Sequence, residues 1–388
     1  MKSSPPEFVK ANRIIGEARI SALDVFDIQL PATIEPAASQ VTRYRVVEVV
    51  TDANVTGYSF TQANQDGGVH VDNRPLLRSL MVGRDLFGIL PELAMWRAGG
   101  AVEHALWDTI GKLVGQPVHR LLGGGSRTVK AYATCVWPGP LDQSGISADD
   151  QALMAVRLRD AGFKGMKIRI WRPDPDDDIH ACSVIRAAVG PEFAIMVDRT
   201  AHLSGRTWDV DTAVKVAHGL EKVGVEWLEE PLDRADLDGL RRLSDRVVIP
   251  IAGGEAYREL TEFREALTLN AFDIIQPDAM HTGGVLPTVR VGTLAEAFDT
   301  RCVPHGSNGL ALAGWLQVAS VLRSEWQEIA LVKPPILPEE QWEPALAIIR
   351  TDSLFKIREG EIEIPQAPGL GLNVDKHALD EYRVPVAG

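Results

Sequence analysis

The chain has 388 residues, 45% hydrophobic and 24% charged, with 34 Gly and 24 Pro scattered along it. That exceeds one ordinary domain, and the composition is that of a folded globular protein, so a collagenous or disordered chain is excluded. Acidic residues number 53 against 40 basic ones, a formal net charge of −13 that argues against nucleic acid and anionic lipid as partners. No run approaches 18 uninterrupted apolar residues, and the opening segment MKSSPPEFVKANRIIGEARI has no apolar middle. The expectation is a cytoplasmic protein with no membrane span. Cys135, Cys182 and Cys302 form no CxxC and are expected as buried apolar residues, neither a disulfide framework nor a zinc site.

Strand-like runs fill Arg13 to Tyr58, notably Tyr44 to Val50 (YRVVEVV), which runs into the turn-forming Thr51-Asp52-Ala53-Asn54. Gln62 to Asn73 (QANQDGGVHVDN) is polar and glycine-rich, the composition of a binding loop or lid. Helical spacing follows from Pro75 to Leu122, including Ala101 to Asp108 (AVEHALWD). Strands first and helices afterwards predict an α+β unit.

From Val129 onward the pattern becomes short apolar runs, each followed by an amphipathic helix. Strands are expected at Ala131–Cys135, Met166–Ile170, Ala194–Val197, Val225–Leu228, Ile249–Gly253, Ile274–Gln276, Cys302–Pro304 and Ile329–Val332. Helical patterns separate them, for example Asp150–Ala161, Asp177–Ala188, Asp211–Val223, Thr261–Asn270, Val285–Phe298 and Leu310–Leu322. Eight such repeats predict a closed parallel barrel. Phe355 to Pro365 (FKIREGEIEIP) reads as a hairpin, and Pro368-Gly369-Leu370-Gly371 begins a tail directed back to the N-terminal unit.

Polar residues at the C-terminal ends of barrel strands share one mouth. Here that mouth receives Lys167 and Arg169, Asp198, Glu229, Glu255, Asp278 and His305, each about one βα unit after the last. Any one of these acids alone reads equally well as a helix cap or a solvated charge; their common register does not. Asp198, Glu229 and Glu255 on three consecutive strands make an all-oxygen donor set suited to Mg²⁺ or Mn²⁺. Glu229 is chosen over Glu230 because inward alternation from Trp227 favours it. Asp278 and His305 fall on adjacent strands, where the carboxylate can orient the imidazole. His104, His119, His180, His218 and His377 read as structural, whereas His202, His281 and His70 lie in loops near the mouth.

The ordered set of GMKIRI, MVD, WLEEPL, AGGE, QPDAMHTGGV, VPHGSNG and PQAPGLGL resembles the mandelate racemase subgroup of the enolase superfamily over nearly the whole length. The resemblance implies an α+β capping domain, built from both termini, over a (β/α)7β TIM-like barrel. The corresponding division is 1–127 for the capping domain, 128–354 for the barrel, and 355–388 for a segment returning to the cap. It implies Mg²⁺ on Asp198, Glu229 and Glu255, abstraction of the proton next to a carboxylate, and a homo-oligomer, dimer or octamer. It also assigns Gln62 to Asn73 and Ser21 to Ser39 to a substrate-selecting lid, Lys167 to the substrate carboxylate, and Glu328 to a hydrogen bond with the substrate acid.

Two departures from the subgroup narrow the reading. Arg169 stands where many relatives have a second basic lysine, and a guanidinium is a poor base but a good clamp for a carboxylate or a leaving hydroxyl. Asp198-Arg199-Thr200 lacks the asparagine common two places after the acid. With His305 as the one good base, the simplest chemistry is dehydration of a sugar acid to a 2-keto-3-deoxy acid. The combination of K-x-R and a His–Asp dyad is similar to that of L-lyxonate dehydratases. Alternatives are a dehydratase for another aldonate or aldarate, a racemase, epimerase or cycloisomerase on the same scaffold, and a non-catalytic metal-binding paralogue. A zinc hydrolase is disfavoured, because AYATCVWP (Ala131–Pro138) has no histidine.

Overall fold

The structure is a computed structural model that describes residues 18–32, 40–62, 71–96, 99–351 and 354–385. Three antiparallel strands come first: β1 (Ile20–Gln29), β2 (Arg43–Thr51) and β3 (Thr56–Gln62). The β-branched run of β2 favours the extended backbone. Asn54 closes the β2–β3 turn at φ 57°, a left-handed conformation that asparagine tolerates. Helices α1 (Arg74–Met81), α2 (Leu90–Trp96), α3 (Gly100–Val114) and α4 (Val118–Leu121) follow. Helix α3 is buried from Gly100 to Gly111, between this sheet and the remainder of the molecule.

Eight parallel strands then alternate with seven helices. In chain order they are β4 (Thr128–Cys135), α5 (Ala148–Asp160), β5 (Gly165–Arg169), α6 (Pro175–Val189), β6 (Ala194–Asp198) and α7 (Val210–Val223). Next come β7 (Leu228–Glu229), α8 (Leu237–Ser244), β8 (Ile251–Gly253), α9 (Leu260–Thr268), β9 (Ile274–Ile275) and α10 (Val285–Ala297). The series ends with β10 (Arg301–Cys302), α11 (Leu312–Leu322) and β11 (Trp326–Val332). Strands β4 to β10 pair in sequence order, and β11 pairs with the free edge of β4. A parallel bridge between Ser307 and Ile329, with Ala330 N donating to Ser307 O at 3.0 Å, joins β11 to the segment after β10. The sheet closes on itself as the expected (β/α)7β barrel.

Several strands sit a few residues from their expected places. The strand read at Val225–Leu228 is Leu228–Glu229, because Val225 N donates to Leu220 O and Gly224 adopts φ 74°; both serve to terminate α7. Likewise Ile249–Gly253 begins at Ile251, and Cys302–Pro304 is Arg301–Cys302. Ser21 to Gln29, read as lid, belongs to β1, which is paired on both sides. The rest of that segment, 33–39, lies outside the described residues, as do 63–70 of the glycine-rich loop. Cys135 and Cys182 are buried as expected, whereas Cys302 is half-buried; all three are free. Among the described residues no helix is long and apolar enough to cross a membrane.

The segment after the barrel divides its pairing. Hairpin β12 (Ile357–Arg358) and β13 (Glu361–Glu363) adds to the first residues of β4, with Ile362 opposite Val129. After helices α12 (Pro338–Trp342) and α13 (Lys376–Glu381), strand β14 (Arg383–Val384) pairs with β1. Buried Asp108 on α3 fastens this return: it accepts from Tyr58 N at 2.8 Å, Leu370 N at 2.8 Å and Lys112 Nζ at 2.6 Å.

One buried cluster stands apart from the main core: Tyr132, Met196, Trp227, Ala252, Ile274, Val303 and Trp326. These are inward-facing residues of the barrel strands, with the Tyr132 ring edge-on to Trp227 and Trp326 at 5.5 and 6.0 Å. They plug the barrel, and two residues further along all but one of these strands the side chains turn polar; beyond Ala252 the position is Gly254.

Burial also sets the charge of His104 on α3. It packs edge-on to Trp315 at 5.4 Å, and its Nε2 has no hydrogen-bond partner among the described residues. Burial pushes its pKa down to about 4 from 6.5. The folded state therefore binds fewer protons than the unfolded one below pH 6.5. The corresponding stability, roughly 3 kcal/mol at 1.36 kcal/mol per unit, is present above pH 6.5 and is lost as pH falls towards 4. We expect His104→Leu to flatten the fall of the urea midpoint between pH 7 and pH 4; a profile parallel to the wild type would contradict this.

Candidate active site

Period-two alternation builds the mouth directly on the plug. Asp198 follows Met196, Glu229 follows Trp227, His305 follows Val303 and Glu328 follows Trp326, while Ile274 is followed by Gln276 and then Asp278. Strand β5 contributes Lys167 and Arg169, and Glu255 lies two residues past the end of β8. All eight residues singled out from the sequence thus fall at one end of the barrel.

Lys167 is at the centre and is buried. Its Nζ donates to both oxygens of Glu229 at 2.8 Å and lies 2.9 Å from Glu328 Oε1. Burial alone would depress this ammonium, but Glu229 and Glu328 outweigh it and hold the pKa well above the ordinary lysine range. Glu229 also accepts from Gln276 Nε2 at 2.9 Å and Trp227 Nε1 at 3.2 Å. Even so, burial, reinforced by Asp198, pushes Glu229 up to about 7. Glu328 accepts from Thr134 Oγ1 and from Gly306 N, the latter at 2.8 Å. Lys167 and His305 overcome its burial and bring it down to about 2. Both its oxygens are engaged by protein donors, and Glu328 is a counter-ion to Lys167.

Arg169 reaches Asp198 by two routes. It lies 3.5 Å from Asp198 Oδ2 and donates to Thr200 Oγ1, whose hydroxyl donates to Asp198 Oδ1. Thr200, at the position where the sequence departs from the subgroup pattern, thus links Arg169 to Asp198. Its φ of 39° is unusual for a β-branched residue, and Glu230 has φ 44°, backbone strain held by the surrounding structure at the mouth. The Arg169 guanidinium also stacks 5.0 Å from the Trp171 ring centroid.

His305 joins the two remaining acids. Its Nδ1 is 2.8 Å from Asp278 Oδ2 and its Nε2 is 3.2 Å from Glu255 Oε2. Glu255, then Glu328 and Asp278, outweigh burial and raise the imidazole to about 10. The other oxygen of Asp278 accepts from Met280 N and His281 N at 2.7 and 2.9 Å, and the His305 contact holds its pKa below the usual carboxylate value despite burial. Of the loop histidines, His281 contacts Glu255 O at 3.0 Å through Nδ1, and His202 lies 2.9 Å from Arg234 Nη2. His70 falls outside the described residues.

Arg234, which the sequence pattern does not mark, stands four residues beyond Glu230 in the loop between β7 and α8. Its Nη2 serves Glu230 Oε2 and, at 3.3 Å, Glu255 Oε1. Gln276 and Thr134 were also missed, yet both share the inward phase of their strands with plug residues. Six carboxylates, Asp198, Glu229, Glu230, Glu255, Asp278 and Glu328, thus face three permanent cations, Lys167, Arg169 and Arg234, with the imidazole of His305 between Glu255 and Asp278 and that of His202 3.7 Å from Glu230. Among the described residues, no three His, Cys, Asp or Glu side chains are arranged as they stand to hold a metal ion. Asp198, Glu229 and Glu255 are each turned to a neighbouring cation. Their chemistry nevertheless fits a hard divalent cation: Asp198 and Glu229 are register partners on adjacent strands, Glu229 and Glu255 are both raised chiefly by burial, and Glu230 Oε1 is buried without a partner.

Residues 150–378 match the enolase C-terminal domain-like family. The chain belongs to the enolase superfamily. It is 32% identical over 292 residues to arabinonate dehydratase of Saccharolobus solfataricus, covering 73% of this chain and 71% of that one. D-galactarolactone cycloisomerase of Agrobacterium fabrum is 30% identical over 288 residues, 73% of each chain. Among solved structures, D-glucarate dehydratase of Agrobacterium tumefaciens complexed with magnesium superposes with a TM-score of 0.79 at 26% identity, over 95% of this chain and 100% of that one.

Because Lys167 neutralises two buried carboxylates, removing it alone leaves uncompensated charge. Lys167→Met is expected to lower stability by about 3–5 kcal/mol at pH 8 without added divalent cations. Urea unfolding measures this, and a loss below about 1 kcal/mol, the range of an exposed pair, would contradict the arrangement.

Proposed function

We propose that the chain is a Mg²⁺-dependent sugar-acid dehydratase, a hydro-lyase that converts an acid sugar to its 2-keto-3-deoxy acid. The observation that carries the reading is the His305–Asp278 pair, a single oriented base, with Arg169 where a second base would otherwise stand. The named dehydratases among the relatives agree with it. Asp198, Glu229 and Glu255 would hold Mg²⁺, which when bound supplies Lewis-acid charge at the substrate carboxylate and acidifies the adjacent C–H.

The chain's own groups do the rest. Asp278 holds Nδ1 of His305; with Glu255 engaged as a metal ligand instead of against Nε2, the imidazole loses the neighbour that most raises its pKa, and its neutral Nε2 takes the proton from C2. The electron pair left on C2 becomes the C2–C3 double bond as the C3–O bond breaks. The imidazolium returns its proton to the departing hydroxyl, water leaves, and the enol tautomerises to the 2-keto acid. Lys167, and Arg169 beside Asp198, contribute positive charge where negative charge develops. Glu328, fixed by Thr134 and Gly306, keeps Lys167 in place.

Within this class we propose a pentonic acid, L-lyxonate first, because Lys167-Ile168-Arg169 combined with the His–Asp dyad matches that type. The relative named for arabinonate, another five-carbon acid, supports the chain length. The reading carries with it a small-molecule substrate, a cytoplasmic setting and a homo-oligomer, dimer or octamer. A second reading, cycloisomerisation of a sugar-acid lactone, is favoured by the 30% identical cycloisomerase.

A panel of pentonic, hexonic and aldaric acids and their lactones, incubated with the protein and Mg²⁺, separates the readings. Dehydration yields 2-keto acids trapped as semicarbazones, whereas cycloisomerisation yields an isomer of unchanged mass. We expect keto acid from a pentonate, lost by about 10³-fold in His305→Asn with Mg²⁺ binding retained. Full turnover by His305→Asn would overturn the assignment.

A further inference from the structure

Helix α10 has no N-cap of its own. The residue in that position is Gly284, at φ 131°, and the first backbone N–H groups of the helix would be left without partners inside the protein. They are satisfied from the capping side. Glu103 of α3 accepts from Val285 N through Oε2 at 2.7 Å and from Leu286 N through Oε1 at 3.0 Å, while Trp107 Nε1 steadies Oε1 at 2.7 Å. A side chain at Gly284 would fall 2.2 Å from Glu103 Oε2, so glycine is required there by both its φ and its space. One helical turn before Glu103, Gly100 lies so close to the loop preceding α10 that a Cβ would meet Ala279 O at 2.5 Å.

That loop carries Asp278. Thr288 Oγ1 donates to Gly284 O at 2.7 Å and lies 2.7 Å from Thr282 Oγ1, which donates to Asp278 O at 2.7 Å. Asp278 in turn accepts from Met280 N and His281 N with one oxygen and contacts His305 Nδ1 with the other. An unbroken chain of short contacts therefore runs from the buried carboxylate of Glu103 to the imidazole. Tyr44 of β2 accepts from Leu310 N at 3.4 Å, five residues past His305.

We infer that Glu103 is a positioning residue for the Asp278–His305 dyad: by capping α10 from the neighbouring helix α3, it fixes the loop that orients the base. The role differs from simple stabilisation, because the angle and tautomer of His305 depend on where Asp278 Oδ2 sits. Its kinetic consequence rests on the dehydratase reading, whereas its structural consequence does not.

The test compares wild type and Glu103→Gln, which keeps shape and one acceptor but turns an NH₂ towards an N–H. The first readout is the low-field proton NMR signal of His305 Nδ1–H, identified by its loss in His305→Asn. The second is turnover. We expect the signal to shift or broaden, and kcat for the acid found to be a substrate to fall about 10–100-fold with KM and Mg²⁺ affinity unchanged. An unchanged signal together with unchanged kcat in folded Glu103→Gln would overturn the inference. Should that variant not fold, Thr288→Val cuts the same chain at its middle, and a folded Thr288→Val protein with the wild-type signal and kcat contradicts the inference equally. If no acid on the panel turns over, the functional reading fails, and the NMR comparison still decides the role of Glu103.

Discussion

Six carboxylates gathered in a buried barrel mouth cannot all remain ionised without positive charge close by, because desolvation penalises each of them and they repel one another. Much of the surrounding structure supplies that charge. Lys167 stands between Glu229 and Glu328, Arg169 reaches Asp198 directly and through Thr200, Arg234 spans Glu230 and Glu255, and His305 bridges Glu255 and Asp278. The balance still leaves Glu229 pushed up to about 7. Negative charge in excess of its protein partners is what a site for a divalent cation and an anionic substrate requires, since both the ion and the developing charge of the reaction are handled by fixed groups.

The fold makes this concentration of charge affordable by separating two layers at a period of two residues. The apolar plug from Tyr132 to Trp326 closes the barrel from below and excludes water. The next inward position on each strand is then free to be polar without opening the core. The capping elements act on the same site from above. Asp108 ties β3, α3 and the C-terminal tail together, while Glu103 accepts from the start of α10, which follows the Asp278 loop, and Tyr44 accepts from Leu310 N, five residues past His305.

The barrel and seven of the eight polar residues at its mouth were legible in the sequence because both are local patterns, βα alternation and charged residues at the ends of short apolar runs, whereas Glu328 entered only through the family resemblance. Strand ends were legible only to within a few residues, since at Val225 a helix terminus and a strand compete for the same backbone N–H. Glu103 could not be read, because inside AVEHALWD an acid at helical spacing looks like any other helix residue, and its partners Val285 and Leu286 are 182 and 183 residues away. The engagement of both Glu328 oxygens was hidden for the same reason, with Thr134 on β4 and Gly306 in the loop after β10. Thr200, a departure from the subgroup pattern in the sequence, donates its hydroxyl to Asp198, a contact that only the folded chain reveals.

The central claim is that the excess carboxylate charge at the mouth is matched by one divalent cation held by Asp198, Glu229 and Glu255. Calorimetric titration of the full chain with Mg²⁺ at pH 7, in buffers of different ionisation enthalpy, addresses it most directly. The account predicts one ion bound per chain, release of protons on binding because Glu229 is raised to about 7, and loss of the binding in Glu229→Gln. Absence of binding, or binding that survives Glu229→Gln unchanged, would contradict it.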